Sequence, residues 1–187
     1  MKTTIVYAHP WEGSFNRAVL DEVCGAVGEY YLIDLYADGF NPVLSREELK
    51  VYAKGEALDP LVVHYNQMLD DTDRIVFIFP IWWYDMPAIM RGFLDKVMLE
   101  GSAYHTDSAG LHPVREIRET YLFTTSSTPT DVLVDTFGDP VHNAMISATL
   151  QIVGCQNIVW ENLGAIDGSS RKEREEFLRK IAEMLEK

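Results

Sequence analysis

Cysteine is scarce. The 187 residues contain only Cys24 and Cys155, which form no CxxC pair and no metal-ligand spacing. A disulfide framework and a metal centre are therefore not expected, and both thiols read as reduced and buried. Positive charge is also short. Sixteen Lys and Arg stand against 29 Asp and Glu, a formal net charge of -13. Nucleic acid requires clustered cations to neutralise its phosphates, and an anionic bilayer surface attracts the same clusters. Neither partner is expected. No apolar run approaches the roughly 20 residues of a membrane-spanning helix, and no signal-peptide pattern precedes the first strand. A cytoplasmic protein without membrane insertion is expected. GxGxxG and GxxxxGK[ST] are absent, so the usual nucleotide loops are excluded. There is no GxSxG elbow, no internal repeat and no low-complexity segment.

What remains is an alternation of strand and helix patterns, which predicts a single domain over residues 1–187. TTIVYA, residues 3–8, reads as a buried strand. A helix follows from near Ser14, with Phe15, Ala18, Val19, Val23 and Val27 at helical spacing. YYLIDLY, 30–36, is a second strand. The excursion 37–60 contains SREELKVYAKG, a short helix with Ser45 as cap and Glu48 three residues on. Another helix is expected over 61–70. DRIVFIFPIW, 73–82, is apolar on both faces, as a central strand of a parallel sheet should be. A helix from Met86 or Pro87 to about Leu99, a strand at 120–127, a helix at 139–153 and a strand at 157–164 follow. The last helix opens on the capping box Ser170–Glu173 and buries Phe177, Leu178, Ile181 and Leu185. Five strands alternating with helices predict an open, doubly wound five-stranded parallel α/β sheet with helices on both faces.

In such sheets ligands bind beyond the carboxyl ends of the strands, where the strand order reverses. Three loops leave those ends, at 9–16, 80–85 and 124–131. The first runs into a helix N-terminus, whose unpaired N–H groups and partial positive charge suit a phosphate. Ser14 there serves either as a phosphate donor or as a simple helix cap. The second carries Trp82, Trp83 and Tyr84 in a row, placed to wall a planar ligand or to pack in the core. The third, TTSSTPTD, is rich in hydroxyls.

Two signatures, IVYAHPWEGSFNRAV and FPIWWYDMPAIMRGFLDKVMLEGSAY, resemble those of the flavodoxin-like NAD(P)H:quinone oxidoreductases. That family includes the ancillary flavoproteins of potassium-efflux systems. The resemblance spans most of the chain and implies a flavodoxin-like fold and a bound flavin. FMN is favoured over FAD because the C-terminal extension of the larger enzymes is missing. By position, His9, Ser14, Phe15 and Asn16 would serve the phosphate end in an uncharged cradle of main-chain donors. Pro80, Ile81, Trp82, Trp83 and Tyr84 would hold one side of the ring, and Thr124, Thr125, Ser126 and Ser127 the other. Asn66 falls where some relatives place a flavin-contacting amide. Relatives carry Thr-Thr-Gly-Gly where this chain has Thr-Thr-Ser-Ser. Glycine lets a backbone come close to a ligand, so the serines are expected to shift the ring or narrow the cleft. The Tyr and His of the family's relay fall, without gaps, on Val132 and Gly138. Tyr84 and His142 are left as the candidates to move a proton.

The resemblance implies two-electron transfer, with hydride passing from NAD(P)H through the flavin to a quinone or similar small acceptor. The alternative it offers is a regulatory redox flavoprotein associated with a membrane transporter. It also implies a homodimer, with Trp82, Trp83, the 37–60 excursion and the segment around Tyr104 near the partner.

Overall fold

Arg74–Pro80, the most continuous apolar run, forms the central strand of a five-stranded parallel sheet in the computed structural model, which describes residues 1–186. In chain order the elements are β1 (Thr3–Tyr7), α1 (Phe15–Ala26), β2 (Tyr30–Asp34), α2 (Arg46–Val51), α3 (Pro60–Asp70) and β3 (Arg74–Pro80). They continue with α4 (Ala88–Val97), β4 (Tyr104–Asp107), β5 (Gly110–Pro113), β6 (Glu119–Thr125), α5 (Thr130–Asp135), β7 (Ile158–Leu163) and α6 (Arg171–Leu185). The sheet order is β2-β1-β3-β6-β7, all parallel, with Ile5 opposite Val76 and Phe77 opposite Leu122. From β1 the chain winds outward to β2 and then back across to β3. The reversal falls between β1 and β3, so their carboxyl-end loops part there.

Because successive strand residues face opposite ways, the sheet feeds two cores. Ile5, Val76, Ile78 and Phe123 pack with Val19 and Val23 of α1 and Phe177 and Ile181 of α6. Val6, Phe77, Phe79 and Leu122 pack with Tyr65 and Leu69 of α3 and Met90 and Phe93 of α4. The capping boxes at Ser45–Glu48 and Ser170–Glu173 form as expected. Arg74 is buried inside the apolar run. Its guanidinium pairs with Glu119 at 2.6 Å and donates to the Leu185 carbonyl at 3.0 Å, anchoring the end of α6. No helix among the described residues is long and apolar enough to cross a membrane.

Three elements differ from the expectation. The polar stretch TDSAG hides an antiparallel hairpin, β4–β5, whose residues are mostly exposed and so lack the one-sided alternation that betrays a strand. A short helix, α5, begins inside the third loop. The expected helix at 139–153 is a π-helical segment, Val141–Leu150, in which Gln151 N–H donates to the Ile146 carbonyl five residues back. Val141, Met145, Ile146 and Leu150 are its buried residues, a wider spacing than an α-helix gives.

The 37–60 excursion is held by one buried cation. Lys96 of α4, 4% exposed, donates to Asp59 at 2.8 Å and to the Asn41 carbonyl at 3.0 Å, and pairs with Glu48 at 2.9 Å. Burial disfavours its charge, but the two carboxylates outweigh it and hold the ammonium above its ordinary pKa. Lys96→Leu leaves both carboxylates without their cation. It is expected to destabilise the chain by about 3 kcal/mol or more, read as a lower midpoint in urea unfolding.

Candidate functional site

β1 ends at Tyr7, and the chain crosses the sheet edge as a tight loop into α1. Gly13 makes room there for Trp11. A Cβ on it would lie 2.5 Å from the Trp11 indole, so only glycine lets that ring lie across the loop. His9 Nδ1 accepts the Trp11 N–H at 3.1 Å, which leaves any proton of the neutral ring on Nε2. Burial holds the His9 pKa below its ordinary value, partly offset by the interaction with Trp11. The ring also meets Trp82 edge-on at 6.1 Å, joining the first loop to the second.

At the α1 N-terminus, Ser14 Oγ accepts the Arg17 N–H at 3.1 Å, so it does cap the helix. Its own proton can turn outward to a ligand or inward to the buried Tyr7 hydroxyl. The N–H groups of Phe15 and Asn16 have no partner among the described residues. Asn16 is 4% exposed. Its Nδ2 donates to Thr125 Oγ1 at 2.8 Å, while Oδ1 is buried with no partner. A buried amide oxygen left in that state calls for a donor from a ligand or an ordered water.

The second loop is a two-residue reverse turn. Trp82 and Asp85 exchange backbone hydrogen bonds at 2.9 and 3.1 Å, and Trp83 and Tyr84 between them have φ of +52° and +65°. Two left-handed residues in succession are the hallmark of a type I′ turn, which normally takes Asn-Gly. Here aromatics occupy it, at a cost of roughly 1–2 kcal/mol per residue. The turn throws Trp83 out, 95% exposed, and leaves the N–H groups of Trp83 and Tyr84 without a partner among the described residues.

The third loop splits by strand alternation. Thr125 faces Asn16 and the cleft, so Thr124 faces the other way. Thr124, expected beside a ring, is fully buried behind the cleft. Its hydroxyl accepts from Trp160 Nε1 at 2.8 Å and donates to Asn162 Oδ1 at 2.9 Å. Asn162 Nδ2 in turn donates to Ser126 Oγ and Thr130 Oγ1, both at 2.9 Å. Ser126 Oγ donates to the Thr128 carbonyl at 2.6 Å, so this serine is folded back into the wall.

The loops enclose one cleft with two chemically different halves. The polar half, about 460 Å³, is lined by His9, Ser14, Phe15, Asn16, Pro80, Thr125 and, from the far side, Asp167 and Arg174. The apolar half, about 380 Å³, is lined by Trp83, Tyr84, Thr128 and Leu133; Ile81, Trp82, Ser126 and Ser127 line both. Despite the two serines the cleft is open. Arg174 corrects the expectation of an uncharged cradle. Its guanidinium lies over the Phe15 ring at 5.7 Å and is braced by Ser169 Oγ at 2.8 Å and the Ile166 carbonyl at 3.0 Å. In the sequence it is hidden in the charged run RKEREEFLRK. The available signal was its position three residues before buried Phe177, on the inward stripe of α6.

Two other candidates lie elsewhere. Asn66 bonds to the Arg115 guanidinium and the Val62 carbonyl, away from the cleft. His142 is exposed on the π-helical segment and lines neither half. The thiols match the reading in part: Cys155 is buried and its pKa pushed up to about 11 by burial, while Cys24 is only half-buried.

A family profile described as "Flavodoxin-like fold" matches residues 1–185. An uncharacterized NAD(P)H oxidoreductase of Haemophilus influenzae is 29% identical over 182 residues, covering 92% of this chain and 89% of its own length. The NAD(P)H:quinone oxidoreductase of Methanothermobacter marburgensis superposes with a TM-score of 0.87 at 27% identity, covering 100% of this chain and 98% of that one. A rat NAD(P)H dehydrogenase [quinone] 1 is 31% identical over 124 residues. That match takes in 55% of this chain but only 45% of the rat protein, so the chain spans about half of that relative.

The strained turn generates a prediction. Asn tolerates the left-handed region and Trp does not, and Trp83 contributes almost no packing. In the ligand-free monomer, where no second copy covers the turn, Trp83→Asn is expected to raise stability by about 1 kcal/mol, measured by urea unfolding at a protein concentration too low for chains to pair. No gain would mean that the turn is not strained in solution.

Proposed function

The chain belongs to the family of flavodoxin-like fold, and we propose that it is an FMN-dependent NAD(P)H oxidoreductase that passes two electrons to a quinone or a similar small acceptor. The observation that carries this reading is the two-part cleft at the switch point. Its polar half offers free helix N–H groups, a hydroxyl proton, an orphaned amide oxygen and a guanidinium. Its apolar half is a slot of aromatic and aliphatic side chains edged by Ser126, Ser127 and Thr128. A phosphorylated polyol joined to a flat tricycle has the matching chemistry end for end. The names of the relatives from Haemophilus influenzae and Methanothermobacter marburgensis support the reaction class.

Bound flavin supplies hydride acceptance and release; the chain supplies grip and polarity. Phosphate is held by the N–H groups of Phe15 and Asn16, the Ser14 hydroxyl and Arg174, combining helix-end charge with a charge-assisted donor. Asn16 Oδ1 accepts from a ribityl hydroxyl. Ile81 and Trp82 wall the ring, and the free N–H groups of Trp83 and Tyr84 favour negative charge on its edge. Thr124 acts from behind, holding Asn162 and through it the Ser126 end of the wall. Tyr84 presents its phenol at the apolar half, as a proton donor to the ring's substrates. We read the exposed Trp83, thrown out of the cleft by the turn, as covered by a second copy of the chain, because an indole of this kind is rarely left bare.

The purified protein is expected to be yellow, to release FMN on denaturation, to bleach with NADH or NADPH without oxygen, and to recover its colour with a quinone. Colourless protein that takes up neither FMN nor FAD overturns the reading. Within it, Arg174→Ala is expected to weaken FMN binding by about 2 kcal/mol and to leave riboflavin, which lacks the phosphate, unaffected. Equal losses for both ligands would remove Arg174 from the phosphate and return it to packing on Phe15.

A further inference from the structure

The rim of the apolar half holds a contact that the cofactor reading does not use. Tyr84, from the turn after β3, stacks against Phe137, from the turn after α5, with ring centroids 4.2 Å apart and planes at 32°. Both rings stand at the surface, 37% and 46% exposed, so the pair is not core packing. The Tyr84 hydroxyl makes no hydrogen bond among the described residues; its ring is held by packing alone. Phe137 is delivered by a purpose-shaped turn. Its N–H donates to the Val132 carbonyl at 3.3 Å, Gly138 and Asp139 follow with φ of +71° and +49°, and the Asp139 N–H folds back to the Leu133 carbonyl at 3.1 Å. Leu133 itself lines the slot that Tyr84 borders. No charged side chain lines that half of the cleft.

We infer that Phe137 is a positioning residue. It fixes the Tyr84 ring at the mouth of the apolar half, beyond the flavin ring that half would hold, as the wall against which an acceptor seats, and so makes the enzyme selective for flat, uncharged, ring-bearing acceptors. This rests on the oxidoreductase reading. Without Phe137 the Tyr84 ring swings free and a flat acceptor loses one of its stacking faces. An acceptor that takes electrons without seating in the slot has nothing to lose.

The test uses flavin-loaded protein with two acceptors, menadione, which is flat and neutral, and ferricyanide, which is charged and has no ring. In Phe137→Ala the KM for menadione is expected to rise about two- to tenfold, the range to which the worth of one aromatic pair converts. Ferricyanide kinetics and flavin content stay at wild-type values. Phe137→Tyr restores the menadione KM; Phe137→Leu, which keeps the bulk without the ring, does not, and it carries the test if the alanine variant fails to fold. In protein labelled with 3-fluorotyrosine, the 19F signal assigned to Tyr84 moves when Phe137 is replaced. Equal changes for both acceptors, an unchanged menadione KM or a stationary 19F signal each overturn the inference while leaving the oxidoreductase reading intact. A wild-type chain that holds no flavin overturns both.

Discussion

Three loops from three strands converge on Thr125, and the cleft depends on that joint. The Thr125 carbonyl accepts the Ile81 N–H at 2.7 Å, and its hydroxyl accepts Asn16 Nδ2 at 2.8 Å. One residue at the end of β6, 4% exposed, thus fixes the exit of β3 and the first turn of α1. Both bonds are sheltered from water, where a hydrogen bond is electrostatically stronger and a broken one leaves a costly unpaired group. The relative height of the polar and apolar halves follows from this joint. It is set by strand register, which is among the most rigid quantities a protein has.

A second layer lies behind the first. Trp160, Thr124 and Asn162 form a chain of hydrogen bonds across β6 and β7, ending on Ser126 and Thr130. Every hydroxyl in it has a partner, so the wall cannot rotate a serine into the cleft without breaking a bond. This is how Ser126 is taken into the wall of the cleft. The hydroxyl of the first serine is spent on the wall itself, while Ser127 stands exposed at the edge of the cleft.

The fold was legible because its signals are redundant. DRIVFIFP is too apolar for any position but a central strand, and Ser170 with Glu173 marks a helix start unambiguously. The β4–β5 hairpin was not legible because it is solvated on both faces and carries no burial pattern. The π-helical segment was not legible because the steps of four, from Val141 to Met145 and from Ile146 to Leu150, also occur on an α-helix, and only the steps of five between them mark the wider turn. At the cleft, residues whose backbone or position mattered were readable from the loops they occupy. Those whose side-chain direction mattered were not. Thr124 and Thr125 are adjacent and alike, and only the register of β6 decides which one meets Asn16. Arg174 needed the tertiary contact between α1 and α6 before its charge could be assigned to the cleft rather than to solvent.

The strain at Trp83 and Tyr84 bears on how such a site persists. A type I′ turn built from Asn-Gly would close the same hairpin at lower cost, and the turn bonds between Trp82 and Asp85 do not require aromatics. What Asn-Gly lacks is the side chains. The left-handed backbone points Tyr84 at Phe137 and Trp83 outward while exposing both N–H groups. Backbone strain held in place by a rigid frame is characteristic of sites that bind or react. Here the frame is identifiable: Ile81 on one flank is pinned by Thr125, and Met86 and Ile89 on the other are packed into the larger core. Strain therefore concentrates where the frame is stiffest, which is also where the polar and apolar halves of the cleft meet.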